Sequence, residues 1–278
     1  MPKPPLQKEH PLADLRREID RIDEAMHELL IDRGEIIDRL IAVKKTQESG
    51  SAFRPAREAD MMRRLVERHH GNLPLDTVEG IWRVIISTFT YVQAPFAVHA
   101  DLSAGDALMR DSARFHFGFT APFEPHMGAS SVVAAVAASK GDLGLVPAFA
   151  TAGAGPWWAA LEFAAAPKII ARLPFVERVD HPAGMPVFVI SRVAADAMVT
   201  ETEVWSMRVS GWSAASVNTV AGLADVIAVP DRAFDGAALL VSVARGGIGA
   251  VSAALVGIGA SIRSVALVGS HATRYTVP

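Results

Sequence analysis

From Leu12 to about Lys45, apolar residues recur at Leu15, Ile19, Ile22, Met26, Leu29, Ile36, Leu40 and Val43. This three-four alternation is the mark of one buried helical stripe. The period reserves position 33 for another apolar side chain, yet the residue there is Arg33, and Lys44 falls on the same edge about three turns later. A guanidinium or ammonium buried without a partner costs several kcal/mol. Each cation therefore pairs with an internal carboxylate, lets its head reach water, or faces a pocket for a small anionic ligand. The pattern predicts a helix from about Pro11 to Lys45, with Asp14 in its first turn and Lys44 and Lys45 in its last, as the helix dipole favours. Its length, about 50 Å at roughly 1.5 Å per residue, exceeds what this region can cover alone, so a partner chain is expected on the seam. Glu48-Ser49-Gly50-Ser51 breaks the helix, and Pro55 opens a second one running to about His69. After Gly71 to Pro74, a third is predicted over Leu75 to Ala94, with Val78, Ile81, Trp82, Ile85, Phe89 and Val92 inward and Pro95 closing it.

Beyond Pro95 the pattern changes. Phe115 to Phe119 reads as a strand, Ser130 to Ser139 as a helix, Leu143 to Val146 as a strand, Trp157 to Phe163 as a helix and Val187 to Ile190 as a strand. The last segment reads βαββαβ: strand 203–210, helix 213–221, strand 224–229, strand 237–243, helix 247–258, strand 262–269. Charge follows the same division. Residues 1–95 carry 31 charged side chains, whereas 96–278 carry only 26 in nearly twice the length. We therefore expect an α plus α/β multidomain chain with a boundary near Pro95.

Composition narrows the chemistry. The chain has no cysteine, which excludes disulfide scaffolds, cysteine nucleophiles and thiolate metal sites. A net charge of -3 gives no general footprint for nucleic acid, and no basic run suggests a membrane surface. The start, MPKPPLQKEHPLAD, lacks the apolar core of a secretory signal, and no apolar stretch is long enough to span a bilayer, so a cytoplasmic protein is expected.

The second and third helices repeat the anomaly of the first. Glu58 lies four residues before Met62 and seven before Leu65, on their face, with Arg57 beside it; Gln93 follows Phe89 by four. Taken singly, each suits a core hydrogen bond or a solvated edge. Together, Arg33, Lys44, Arg57, Glu58 and Gln93 suit a small dicarboxylate bearing a hydroxyl.

These residues resemble the all-helical chorismate mutases over about residues 10–96. The resemblance rests on LRREIDRID at 15–23, the Arg33 and Lys44 spacing, Pro-Ala-Arg-Glu at 55–58 and the Ile-Ile pair leading to Gln93. It implies an intertwined homodimer of three-helix protomers that binds chorismate and uses no cofactor. It also implies that Arg16 comes from the partner chain, Arg33 and Arg57 hold the carboxylates, Lys44 and Gln93 bond the ether oxygen, and Glu58 takes the hydroxyl. Two positions depart from the family: Phe89 stands where a small hydroxyl residue is usual, and Arg54 where an acid is frequent.

Residues 110–195, through SSVVAAVAASKGDLGLVPA at 130–148, resemble a truncated lobe of prephenate dehydratase. The acid-amide-hydroxyl triplet expected after that strand is Ala148-Phe149-Ala150, and the nearest counterpart of the Thr-Arg-Phe signature is Pro186-Val187-Phe188, so dehydratase activity is not expected. Residues 202–278 resemble an ACT regulatory domain. The resemblance implies an aromatic amino acid effector, but the effector turn Gly-Ala-Leu is Trp212-Ser213-Ala214, which leaves packing or dimerisation as the other role. Gly247-Ile248-Gly249 imitates a dinucleotide turn, yet Ser252 holds the third glycine position, so a tight strand-to-helix turn is expected. Ser213 is expected to cap a helix. Three functions remain: a chorismate mutase with a silent extension, a non-catalytic anion-binding partner protein of the same pathway, and a bifunctional mutase-dehydratase.

Overall fold

The computed structural model describes residues 12–44, 52–192, 201–231 and 236–277. The chain divides into two compact units, residues 1–45 and 46–278. The first contains α1 (Leu12–Lys44), an uninterrupted helix with Asp14 in its first turn. Its predicted stripe is uncovered in the single chain: Leu15, Ile19, Ile22, Met26 and Leu29 are 45% to 65% exposed. Residues 1–11, Lys45 and the break at Glu48 to Ser51 lie outside the described residues.

The second unit opens with α2 (Pro55–Arg68), which has Pro55 in its first turn and buries Glu58, Met62 and Leu65. Next comes α3 (Leu75–Gln93), which buries Val78, Glu79, Arg83, Ile86, Ser87 and Thr90. This corrects the expected inner face, because Ile81 and Val92 are exposed. The polar side turns inward since its charges find buried partners: Glu79 pairs with Arg178 and Arg83 with Glu58.

The remainder is α/β. β1 (Val98–Asp101), α4 (Asp106–Phe117), β2 (Phe123–His126), α5 (Ala129–Ala138) and β3 (Leu143–Pro147) form two crossovers in which β2 and β3 both pair parallel to β1. A short 3-10 turn at Trp157–Leu161 leads to β4 (Lys168–Leu173), β5 (Val176–Glu177) and β6 (Val187–Ser191). The strand expected at Phe115 to Phe119 is instead the end of α4. Its aromatic alternation mimics a strand, but Met109, Ala113 and Phe117 recur at helical spacing and are all buried. Gly118, at φ 66°, then turns the chain out of the helix.

The last segment follows the expected order: β7 (Thr202–Ser210), α6 (Ala214–Ala221), β8 (Asp225–Asp231), β9 (Gly236–Ala244), α7 (Ile248–Gly257) and β10 (Ser261–His271), followed by β11 (Tyr275–Thr276). Ser213 is the N-cap of α6, its N–H donating to Ser216 Oγ at 3.1 Å. Gly247 stands at the N-cap of α7 and donates to the Ala244 carbonyl at 2.8 Å, as a tight turn requires. All the long strands join one nine-stranded sheet, in the order β2-β1-β3-β6-β4-β10-β7-β9-β8. One core joins Met62, Leu65, Val78 and Ile86 of α2 and α3 to Val98, Phe117, Leu143 and Phe175. Among the described residues no helix is long and apolar enough to cross a membrane.

Candidate active site

The expected site residues divide between the two units. Arg16 and Arg33 stand on α1, Arg16 exposed and Arg33 half-buried; Lys44 ends the helix, and its side chain lies outside the described residues. Spacing along a straight helix constrains what these cations can share. At about 1.5 Å per residue, Arg33 and Lys44 are about 16 Å apart along the axis, close enough for two long side chains to converge on one ligand. Arg16 is about 25 Å from Arg33 on the same axis, too far for that, so an Arg16 acting beside Arg33 has to come from another copy of the helix.

On α2, Arg57 is exposed and Glu58 is 4% exposed. Adjacent helical positions diverge, so only one of the two faces the core. Glu58 Oε2 accepts from Arg83 Nη1 at 2.7 Å, and Arg83 is completely buried. Burial pushes the Glu58 carboxyl above its ordinary range, opposed first by the Arg83 charge and hydrogen bond and then by the Arg54 backbone. On α3, the half-buried Gln93 donates from Nε2 to the Phe89 carbonyl at 2.9 Å.

Sequence reasoning missed the partners of these groups. Arg83 Nη2 donates to the His116 carbonyl at 2.8 Å. Glu79 accepts from Arg178 Nη1 at 2.6 Å and lies 3.2 Å from His181 Nε2. His116 and His181 stack with centroids 6.1 Å apart. Burial drives the His116 imidazole well below its ordinary range, with Arg83 and His181 adding to the effect. One signal was available: Glu79 and Arg83 stand four apart on the same face as Val78 and Ile86, so two charges occupy the buried side of α3.

A cavity of about 320 Å³ opens at the start of α5, lined by Ser103, Met127, Ser130, Ser131 and Trp157 with small residues of the loop after β3. None of its described lining residues is ionisable. On β1, His99 lies 3.2 Å from Asp142 and 2.9 Å from His126. Among the described residues no cluster of three or more histidine and acidic side chains could hold a metal.

Residues 15–94 match the family model described as Chorismate mutase type II. The bifunctional chorismate mutase/prephenate dehydratase of Aquifex aeolicus is 29% identical over 140 residues, covering 49% of this chain and 38% of that protein. Its counterpart in Pseudomonas aeruginosa is 30% identical over the same shares. The chain thus matches well under half the length of these curated relatives. The X-ray structure of prephenate dehydratase from Streptococcus mutans aligns with 63% of this chain and 97% of its own, at 11% identity and TM-score 0.35.

Proposed function

We propose that the chorismate mutase type II domain at residues 15–94 rearranges chorismate to prephenate, as a homodimer in which Arg16 of one subunit completes the site of the other. The observation that carries this reading is the presence of Arg33 and Lys44 on one unbroken helix whose apolar stripe is exposed in the single chain. A rearrangement within one molecule needs no nucleophile and no proton relay. It needs the enolpyruvyl side chain held over the ring, and negative charge stabilised on the ether oxygen as the carbon–oxygen bond breaks. Arginines meet carboxylates through a planar fork and so fix geometry, the role proposed for Arg16, Arg33 and Arg57. Lys44 is a compact donor for the oxygen where charge grows, and Gln93 donates there at any pH, which favours a broad pH profile. Glu58 accepts the ring hydroxyl.

Dehydratase chemistry is not part of the proposal. Expelling the ring hydroxyl of prephenate needs a proton donor, and the triplet that follows β3, Ala148-Phe149-Ala150, offers no side-chain donor. The βαββαβ segment is proposed to act by packing, because β10 hydrogen-bonds directly to β4 and so belongs to the same sheet.

Loss of chorismate absorbance with purified protein, followed by product analysis, tests the reading. Prephenate should accumulate without phenylpyruvate, and Lys44→Ala should slow conversion by about 100-fold or more. A dimeric wild type that leaves chorismate untouched would refute the activity and favour the anion-binding partner role.

A further inference from the structure

We propose that Arg83 is a positioning residue for Glu58: it holds that carboxylate ionised and in one orientation, and is itself anchored on the α/β part of the chain. The inference rests on the reading of Glu58 as the group that meets the substrate hydroxyl. Arg83 lies wholly inside the protein with both arms of its fork engaged, Nη1 on Glu58 Oε2 at 2.7 Å and Nη2 on the His116 carbonyl at 2.8 Å. Its face is covered as well, since the guanidinium carbon sits 5.4 Å from the Phe175 ring centroid. A planar cation fixed at two edges and one face has a single orientation, and the carboxylate bonded to it inherits that orientation.

The Arg83 bond engages one oxygen of Glu58, and the Arg54 backbone also hydrogen-bonds the carboxylate. A carboxylate has a second oxygen with lone pairs of its own, so an ionised Glu58 can accept from Arg83 and from a hydroxyl together. A protonated Glu58 would lose part of that capacity. Burial favours the protonated form, and Arg83 is the first influence opposing it. The anchor is informative too. His116 stands on α4, outside the segment 15–94 that matches the mutase family, so the α/β part supplies the carbonyl that orients the arginine. The mutase helices therefore depend on the rest of the chain for the state of one of their own polar groups.

A pair that merely glued α2 to α3 would lower stability when broken without acting through Glu58 on the reaction. The test measures kcat and KM against pH for the full chain as wild type, Arg83→Lys, Arg83→Met, Glu58→Gln and the double variant Arg83→Met with Glu58→Gln. We expect Arg83→Met to move the acid limb of kcat/KM to higher pH, so that kcat/KM on the acid side of the limb falls about tenfold for each pKa unit moved. Arg83→Lys keeps a charge but not the fork, so it should restore most of the acid limb and less of KM. In the Glu58→Gln background, Arg83→Met should cost nothing further, because its effect passes through Glu58. Should Arg83→Met fail to fold, Arg83→Lys compared with and without Glu58→Gln reads the same coupling. A folded Arg83→Met variant with a wild-type acid limb, or an equal loss on adding an Arg83 substitution in the Glu58→Gln background, would overturn the inference alone. A wild type that does not turn over chorismate would sink the functional reading, and this inference with it.

Discussion

Replacing Met26 with glutamate should dissociate the proposed dimer. Met26 lies near the middle of α1 and is 53% exposed in the single chain, flanked on its stripe by Ile22 at 45% and Leu29 at 65%. Fully burying such a side chain is worth about 1.5–3 kcal/mol, so covering the exposed half contributes about 1 kcal/mol per copy and about 2 kcal/mol per dimer. Glutamate forfeits that and also carries a carboxylate onto each side of a dry seam, at a cost of at least about 1 kcal/mol apiece even after partial relaxation. A total near 4 kcal/mol corresponds to roughly a thousandfold weaker dimer. Sedimentation velocity over a dilution series reads this directly. Met26→Leu preserves volume and polarity and should leave association nearly unchanged. Activity should fall in step with dissociation, because a monomer lacks the partner's Arg16. A monomeric wild type, or Met26→Glu dimers as tight as wild type, would refute the argument that the uncovered seam is an interface.

Three further outcomes follow from the geometry. Lys44→Ala should lower kcat by about 100-fold or more, the usual cost of removing a donor at the point of charge development, whereas Arg33→Ala should raise KM as well as lower kcat; equal, negligible effects in steady-state kinetics would defeat both assignments. Phe89→Ser should raise kcat/KM if the bulk of Phe89 narrows the site, and unchanged kinetics in the folded variant would show that it does not. His271 is 3% exposed and its imidazole is pushed down to about 4, mainly by burial, against an ordinary value of 6.5. Between those values the unfolded state binds more protons, so this contribution is present above about pH 6.5 and shrinks as pH falls, by about 3 kcal/mol once pH drops below 4. Denaturant unfolding of wild type and His271→Phe at neutral and acid pH should show a shallower pH slope in the variant; parallel slopes would exclude His271 as the cause.

The first three helices were legible because their apolar periods are long enough to average over exceptions. All six elements of the βαββαβ segment were legible because β8 and β9 are apolar runs, β7 and β10 interleave apolar with polar residues, and glycines or polar residues mark the turns between elements. The first strands of the sheet were not. β1 reads Val-His-Ala-Asp and β2 reads Phe-Glu-Pro-His, four residues each with no apolar run, and β2 tolerates Pro125 because it is the edge strand. The aromatic alternation around Phe117 then drew the strand assignment to the wrong place. In the site, Arg33, Lys44 and Glu58 stood out because each interrupts an apolar stripe. Arg83 did the same beside Val78 and Ile86, but the apolar residues Ile81, Trp82 and Ile85 offered a competing face. The partnership of Arg83 with Glu58, 25 positions earlier, and that of Glu79 with Arg178 decide between the faces. Periodicity reports which positions share a side of a helix, not which charges find each other across a fold.

That partnership bears on why the helical part and the sheet share one chain. Gly269 of β10 pairs with Ile169 of β4, where a Cβ would collide with the Ile169 backbone, so glycine permits the close approach that joins the βαββαβ segment to the other strands. The junction is reinforced by side chains: Val204, Ala238, Leu240 and Val268 share a core with Trp158, Leu161, Ile169 and Phe188. β4 pairs with β6, β6 with β3 and β3 with β1, and α4 packs on β1 while presenting the His116 carbonyl to Arg83. Every link in that series is a backbone ladder, a packed core or a buried hydrogen bond. The sheet can therefore act without chemistry of its own, as the frame that fixes where Arg83 points and, through it, the charge on Glu58.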